Sequence, residues 1–151
     1  MTSERAIENI LKEQINTYKV FHDLLKKERT CLVNIEAEKL EEISKEKDTV
    51  IMRLRLLEEE RQRLIIKFTE ENNFVGEINL KEIGTLTGNT IFTELRSQLL
   101  SLLQSIEEMN KLNASLIDRS INYIKTNTSF ISSISKEDTG LKTGVLLSKE
   151  T

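Results

Sequence analysis

A row of apolar residues at alternating spacings of three and four runs through the last third of the chain and constrains its fold most. The row begins at Phe92 and ends at Ile134, and ten of its 13 positions are apolar or aromatic. This spacing places the side chains on one face of a single α-helix that packs lengthwise against other helices. At 1.5 Å per residue, about 45 residues form a rod of roughly 65 Å. A rod of that length requires partner helices along its face.

Two earlier stretches, residues 7–32 and 40–68, carry rows with the same spacing. Only Lys47 and Arg61 interrupt the second row, and we expect both to run their aliphatic stems along it with the charges in solvent. The chain has no proline, and 31% of its residues are charged, which suits long solvated helices. The sequence therefore predicts an all-α fold, an antiparallel three-helix elongated bundle or coiled coil with a long C-terminal helix.

Polar and glycine-containing stretches set the predicted boundaries. Asn34 separates the first two helices, and Asn79 with Glu82 has the form of a capping box that starts a short turn of helix ending at Gly84. After Glu137 the apolar spacing is lost, and we expect a flexible tail. The predicted organisation is a helical bundle domain over 1–136, with helices at 3–33, 35–72, 80–84 and 90–135, followed by a C-terminal tail over 137–151.

The residue types that carry catalytic or metal chemistry are scarce. One cysteine, Cys31, allows no intramolecular disulfide, and the one histidine, His22, has no clustered acids at ligand spacing. No nucleotide-binding or nucleophile motif occurs, so we expect no enzyme, no cofactor and no metal. A net charge of -3 with interleaved signs argues against nucleic acid. Without a signal peptide or a long apolar run, we expect a cytoplasmic protein with no stable membrane insertion.

The distal half of the long helix carries a second signal. A further apolar row lies one residue beyond the main row, so this face is wider than one partner helix requires. The main row is also interrupted at Asn113, Ser120 and Asn127, seven residues apart. Buried polar residues at such positions fix helix register or oligomeric state. Alternatively, they mark a surface left open for a helical or extended partner.

Two segments resemble the FlgN family of flagellar type III export chaperones. The segment 43–64 has the Glu-Lys pair, the paired leucines, the acidic stretch and the arginine that are usual in that family. The segment 109–124 has two asparagines three residues apart, then an apolar pair and a later apolar position. These residues are Asn110, Asn113, Leu116, Ile117 and Ile121. The similarity extends over residues 5 to about 135.

This resemblance implies a function and a site. Proteins similar to this one bind hook-filament junction proteins of the FlgK and FlgL type in the cytoplasm, prevent their premature assembly, and present them to the export gate or export ATPase complex. The family's client contact lies in the C-terminal part, while the aromatic residue that many relatives carry just after the long helix is absent here. The predicted partner-binding residues are Asn110, Asn113, Leu116, Ile117, Ile121, Tyr123, Ile124, Phe130, Ile131, Ile134, Val145, Leu146 and Leu147.

Two other interpretations of the wide apolar face stay open. A structural coiled coil would bury it by self-association, as in a homodimer, and such an oligomer would show in light scattering. A chaperone or regulator for another flagellar or secretion client would use the same face for a different partner.

Overall fold

Four α-helices make up nearly all of the described chain. The computed structural model describes residues 2–127, apart from the side chains of Ile124 and Asn127. The helices are α1 (Ser3–Asn34), α2 (Ala37–Glu71), α3 (Leu80–Thr87) and α4 (Ile91–Asn127). No strand occurs between residues 2 and 127. The predicted all-α helical bundle is confirmed.

Helices α1 and α2 form an antiparallel pair. The Ser3 hydroxyl donates to Glu71 Oε2 at 2.7 Å, which joins the start of α1 to the end of α2. Lys47 Nζ lies 2.8 Å from Glu28 Oε2 near the opposite end of the pair. Between these two points, Gln14 Nε2 of α1 donates to Glu58 Oε2 of α2 at 3.1 Å.

Helices α1 and α4 run parallel. The Asn89 amide lies 3.4 Å from the Glu4 carboxylate, just before the start of α4, and the Asn113 amide lies 2.8 Å from Glu28 further along. Helix α1 packs against both α2 and α4, whereas the described parts of α2 and α4 make no close backbone approach to each other. The middle layer of the bundle is therefore α1, although the long C-terminal helix has the most continuous apolar row.

The bundle has two unlike ends. One contains the start of α1, the end of α2, the whole of α3 and the start of α4, and we call it the α3 end. The other contains the connection between α1 and α2, at Ile35 and Glu36, and we call it the turn end. The largest fully buried apolar side chains extend from the α3 end into the middle of the bundle: Phe21, Phe92, Ile7, Leu11, Leu25, Ile83, Leu99 and Ile106.

The largest difference from the predicted helix ends lies in α3, whereas the ends of α1 and α2 and the start of α4 differ by at most two residues. Helix α3 continues to Thr87, three residues past the predicted end at Gly84, and stops at Gly88, whose φ of 67° is left-handed. Gly84 stays within the helix because it lies against α4, where an added Cβ would meet the Thr93 side chain at 3.1 Å. At the turn end, Ile35 itself adopts a left-handed φ of 55° and terminates α1.

Candidate partner-binding surface

Helix α4 projects beyond the end of α1. The Asn113 amide lies next to Leu25 and Glu28, which fixes the alignment of the two parallel helices. Six residues of α1 follow Glu28, whereas 14 residues of α4 follow Asn113. At 1.5 Å per residue, α4 extends roughly 12 Å further than α1. The last described turns of α4 therefore lack α1 as a packing partner.

A buried polar cluster holds α4 just before this projection, and we call it the Glu28 cluster (Glu28, Lys47 and Asn113). Asn113 Nδ2 donates to the Leu25 carbonyl at 2.9 Å and to Glu28 Oε1 at 2.8 Å, while Lys47 Nζ donates to Glu28 Oε2. The three residues are 8%, 4% and 2% exposed in that order. The Glu28 carboxylate thus joins α1, α2 and α4. Its bonds to Lys47 and Asn113 offset much of the free-energy cost of burying its charge.

A second polar cluster, the Glu58 cluster (Gln14, Glu58 and Arg61), joins α1 to α2 nearer the α3 end. Gln14 Nε2 donates to Glu58 Oε2 at 3.1 Å, and Arg61 Nη2 donates to Glu58 Oε1 at 2.5 Å. Burial raises the pKa of the neighbouring Tyr18 phenol, and the charge of Glu58 raises it further, while Arg61 opposes this effect. The Tyr18 phenol beside the cluster is therefore poorly solvated.

The expectation that Lys47 and Arg61 place their charges in solvent is wrong. Both residues are buried, and each forms an ion pair with a glutamate, Lys47 with Glu28 and Arg61 with Glu58. For Lys47 the partner carboxylate belongs to α1, so the inward orientation joins two helices. For Arg61 the partner is the half-buried Glu58 of the same helix, and Glu58 is in turn bonded to Gln14 of α1.

The predicted binding residues on α4 differ in burial. Asn113 and Ile117 are buried, and Asn110, Leu116 and Ile121 are half-buried. Tyr123 is 66% exposed on the projecting part. The Ile124 side chain lies outside the description, as do six further predicted residues: Phe130, Ile131, Ile134, Val145, Leu146 and Leu147. A partner contact stays a prediction for all of these residues.

Three apolar side chains share one face of distal α4. Leu112, Leu116 and Tyr123 are spaced by four and seven residues, which places them on the same side of a helix. We call them the distal α4 strip. Leu112 and Tyr123 are exposed and Leu116 is half-buried. Leu112 is absent from the predicted set because it lies outside both apolar rows, but its spacing of four from Leu116 could have indicated it.

Other kinds of site are not evident in the described part of the chain. Among residues 2–127, histidine, cysteine, aspartate and glutamate form no group of three that could hold a metal ion. Within the same range, no helix combines the length and the apolar character that crossing a membrane requires.

Comparison with known families decides the class of protein. A family model described as FlgN protein matches residues 1–141. The chain belongs to the FlgN family. It is accordingly a flagellar export chaperone, from a family of chaperones rather than enzymes. No curated protein and no solved structure matches the sequence.

The FlgN match extends over the whole described bundle and continues past the end of described α4. Ten of the 13 predicted binding residues lie within it, and Val145, Leu146 and Leu147 lie beyond it. Membership of the FlgN family indicates partners of the flagellar export system in general.

Proposed function

We propose that this FlgN-family protein binds the terminal helical region of hook-associated proteins of the FlgK and FlgL type through the distal α4 strip and the residues that follow it. Bound in this way in the cytoplasm, the client is kept from premature assembly or degradation and is delivered to the flagellar type III export apparatus. The observation that carries the proposal is the projection of α4 past α1, with Tyr123 exposed on the projecting part and Leu112 exposed next to Asn113, where α1 still lies alongside α4.

An amphipathic helix of a client fits this surface physically. Apolar residues spaced by three and four on a helix are the contacts by which one helix packs on another. The strip becomes useful only when a partner covers it, because contiguous apolar surface of this kind is costly in water. The predicted residues from Ile124 to Ile134 continue the sequence pattern in the same direction, so we include them in the proposed site.

The two asparagines have different roles in the proposal. The Asn113 amide is already bonded to Leu25 and Glu28, so it orients the projecting helix for the client. Asn110 is half-buried one turn earlier, and we assign it the amide contact with the client backbone. Delivery would then bring the occupied chaperone to the export gate or the export ATPase complex.

The test measures the affinity of the full chain for a purified FlgK-type or FlgL-type protein. The double variant Leu112→Ser with Tyr123→Ser should weaken binding by about tenfold or more, since each substitution removes an apolar contact with the client. The matched control is Met52→Ser with Leu56→Ser, which changes two exposed apolar residues on α2. Unchanged affinity in the α4 variant, or equal loss in the α2 control, would contradict the proposed site.

The same variants separate a chaperone from a self-associating coiled coil. Light scattering of the isolated chain should give the same mass for the wild type and the Leu112→Ser, Tyr123→Ser variant if the strip serves a client. A wild-type oligomer that dissociates on these substitutions would assign the strip to a homodimer instead.

A further inference from the structure

A groove lies towards the α3 end of the bundle, between the second half of α2 and the connection into α3. Its volume is about 560 Å³, within the range of sites that hold small ligands or short peptide segments. Its walls are partly apolar, and the side chains that provide them are Ile65, Ile66, Ile78 and Leu80. Ile66 is more than half exposed, so this part of the groove is accessible.

Arg61 lines the groove, and two of its hydrogen-bond donors are unpaired within the described part of the chain. Its side chain is buried, and Nη2 is bonded to Glu58. Its Nε and Nη1 atoms are buried and have no hydrogen-bond partner among residues 2–127. Since an unpaired buried donor is unfavourable, an acceptor that reaches these atoms gains more than an exposed hydrogen bond would.

The start of α3 borders the same groove. Asn79 and Leu80 both line it, and the Asn79 side chain accepts from the Glu82 N–H at 2.8 Å. The Asn79 carbonyl accepts from Ile83 N–H. The N–H groups of Leu80 and Lys81 are the other donors of the first turn, for which an α-helix has no internal acceptor. Of these two residues, Leu80 lines the groove.

The acidic residues of the groove restrict what it accepts. Glu58 and Glu77 are both lining residues, and only Glu58 is paired with Arg61. An acidic ligand would meet the charge of Glu77, whereas a neutral acceptor such as a peptide carbonyl would not. Unused donors, aliphatic walls and an acidic margin together match an uncharged aliphatic peptide segment.

We propose that this groove binds an extended, uncharged aliphatic segment of a partner protein, whose backbone carbonyls accept from Arg61 and the first turn of α3. Its branched side chains pack on Ile65, Ile66 and Ile78. Gln62 lines the groove and donates to Glu58 at the long distance of 3.5 Å, and it rotates to admit the carbonyl. The groove is separate from the distal α4 strip, so the chaperone can hold a second protein while a client occupies α4.

The test uses the full chain and two short peptides as probes. Acetyl-Val-Thr-Val-amide is the neutral probe, and acetyl-Val-Asp-Val-amide is the matched acidic one. Their binding is followed by chemical shifts of isoleucine methyl groups and of the arginine Nε–H in the labelled protein. The neutral peptide should give saturable shifts at Ile65, Ile66, Ile78 and Arg61, and the acidic peptide should bind more weakly.

Two variants locate the binding. Ile66→Lys places a long charged side chain in the groove and should lower the affinity for the neutral peptide by about tenfold or more. Leu56→Lys changes a similarly exposed residue of α2 outside the groove and should leave the affinity unchanged. Shifts confined to the isoleucine methyl groups of α4, equal binding of the acidic peptide, or unaltered binding to Ile66→Lys would each overturn the proposal. The affinity for a FlgK-type or FlgL-type client is measured separately, so the proposed function can hold when this proposal fails.

Discussion

The two ends of the bundle are held together by different kinds of contact. At the α3 end, Phe92 and Ile83 are fully buried together with the apolar residues at the start of α1. Near the turn end, the Glu28 cluster joins three helices through hydrogen bonds and one ion pair. Apolar packing is strong but tolerates sliding, whereas buried polar contacts are satisfied in only one alignment. The difference indicates that one end supplies stability and the other sets the position of α4.

The largest expected effect lies at the α3 end. Phe92→Ala removes a fully buried ring from the start of α4 and should lower the free energy of unfolding by about 3–5 kcal/mol. Urea denaturation followed by circular dichroism measures this change. The control Leu86→Ala truncates an exposed side chain of α3 and should change stability by less than about 1 kcal/mol. Similar losses in both variants would remove the basis for calling this end the stabilising core.

The next largest effect concerns the Glu28 cluster. Lys47→Met leaves the Glu28 carboxylate buried without its cation, and we expect a loss of about 3 kcal/mol of unfolding free energy. Adding Glu28→Gln removes the uncompensated charge, so the double variant should recover part of that loss. Chemical denaturation of the two single variants and the double variant gives the coupling energy directly. Additive losses would show that Glu28 and Lys47 do not act as a pair.

The sequence predicts the helices much better than it predicts the polar contacts. The ends of α1 and α2 lie within two residues of the predicted ones, because the apolar spacing of a long helix is a local property. The partner of Lys47 depends instead on how α1 and α2 are aligned. Glu28 and Lys47 are both visible as interruptions of apolar rows, but only the relative position of the two helices shows that they meet.

The end of α3 illustrates the same limit. Gly84 was expected to stop the helix, since glycine is a weak helix former and common at helix ends. In the fold it faces Phe92 and Thr93 of α4, where its lack of a side chain permits close packing. Of the site, the sequence indicated the apolar rows of distal α4, but the exposure of Leu112 depends on which face of α4 packs on α1.

A smaller effect is expected at the connection between α1 and α2. Ile35 has a left-handed φ of 55°, a strained backbone conformation for a β-branched residue, and its exposed side chain contributes little packing. Ile35→Gly should therefore raise the free energy of unfolding by about 1 kcal/mol. Val33→Gly, two residues earlier within α1, should lower it by a similar amount. Equal destabilisation by both substitutions would show that the left-handed backbone of Ile35 does not lower the free energy of unfolding.

The smallest effect concerns Tyr18, which lies between the two ends beside the Glu58 cluster. Burial and the nearby Glu58 charge raise its pKa above 10.0 in the folded protein. As the pH rises past that value, the phenol of the unfolded chain loses its proton first, which favours unfolding. The stability that the protonated phenol contributes below pH 10.0 is therefore lost as the pH approaches the higher pKa of the folded protein. Tyr18→Phe should remove this alkaline loss, whereas Tyr123→Phe on the projecting helix should retain it. Unfolding free energies measured between about pH 8 and pH 11 compare the variants. An equal alkaline slope in the wild type and Tyr18→Phe would mean that water reaches the middle of the bundle, and the Glu58 cluster would then contribute little to the alignment of α1 and α2.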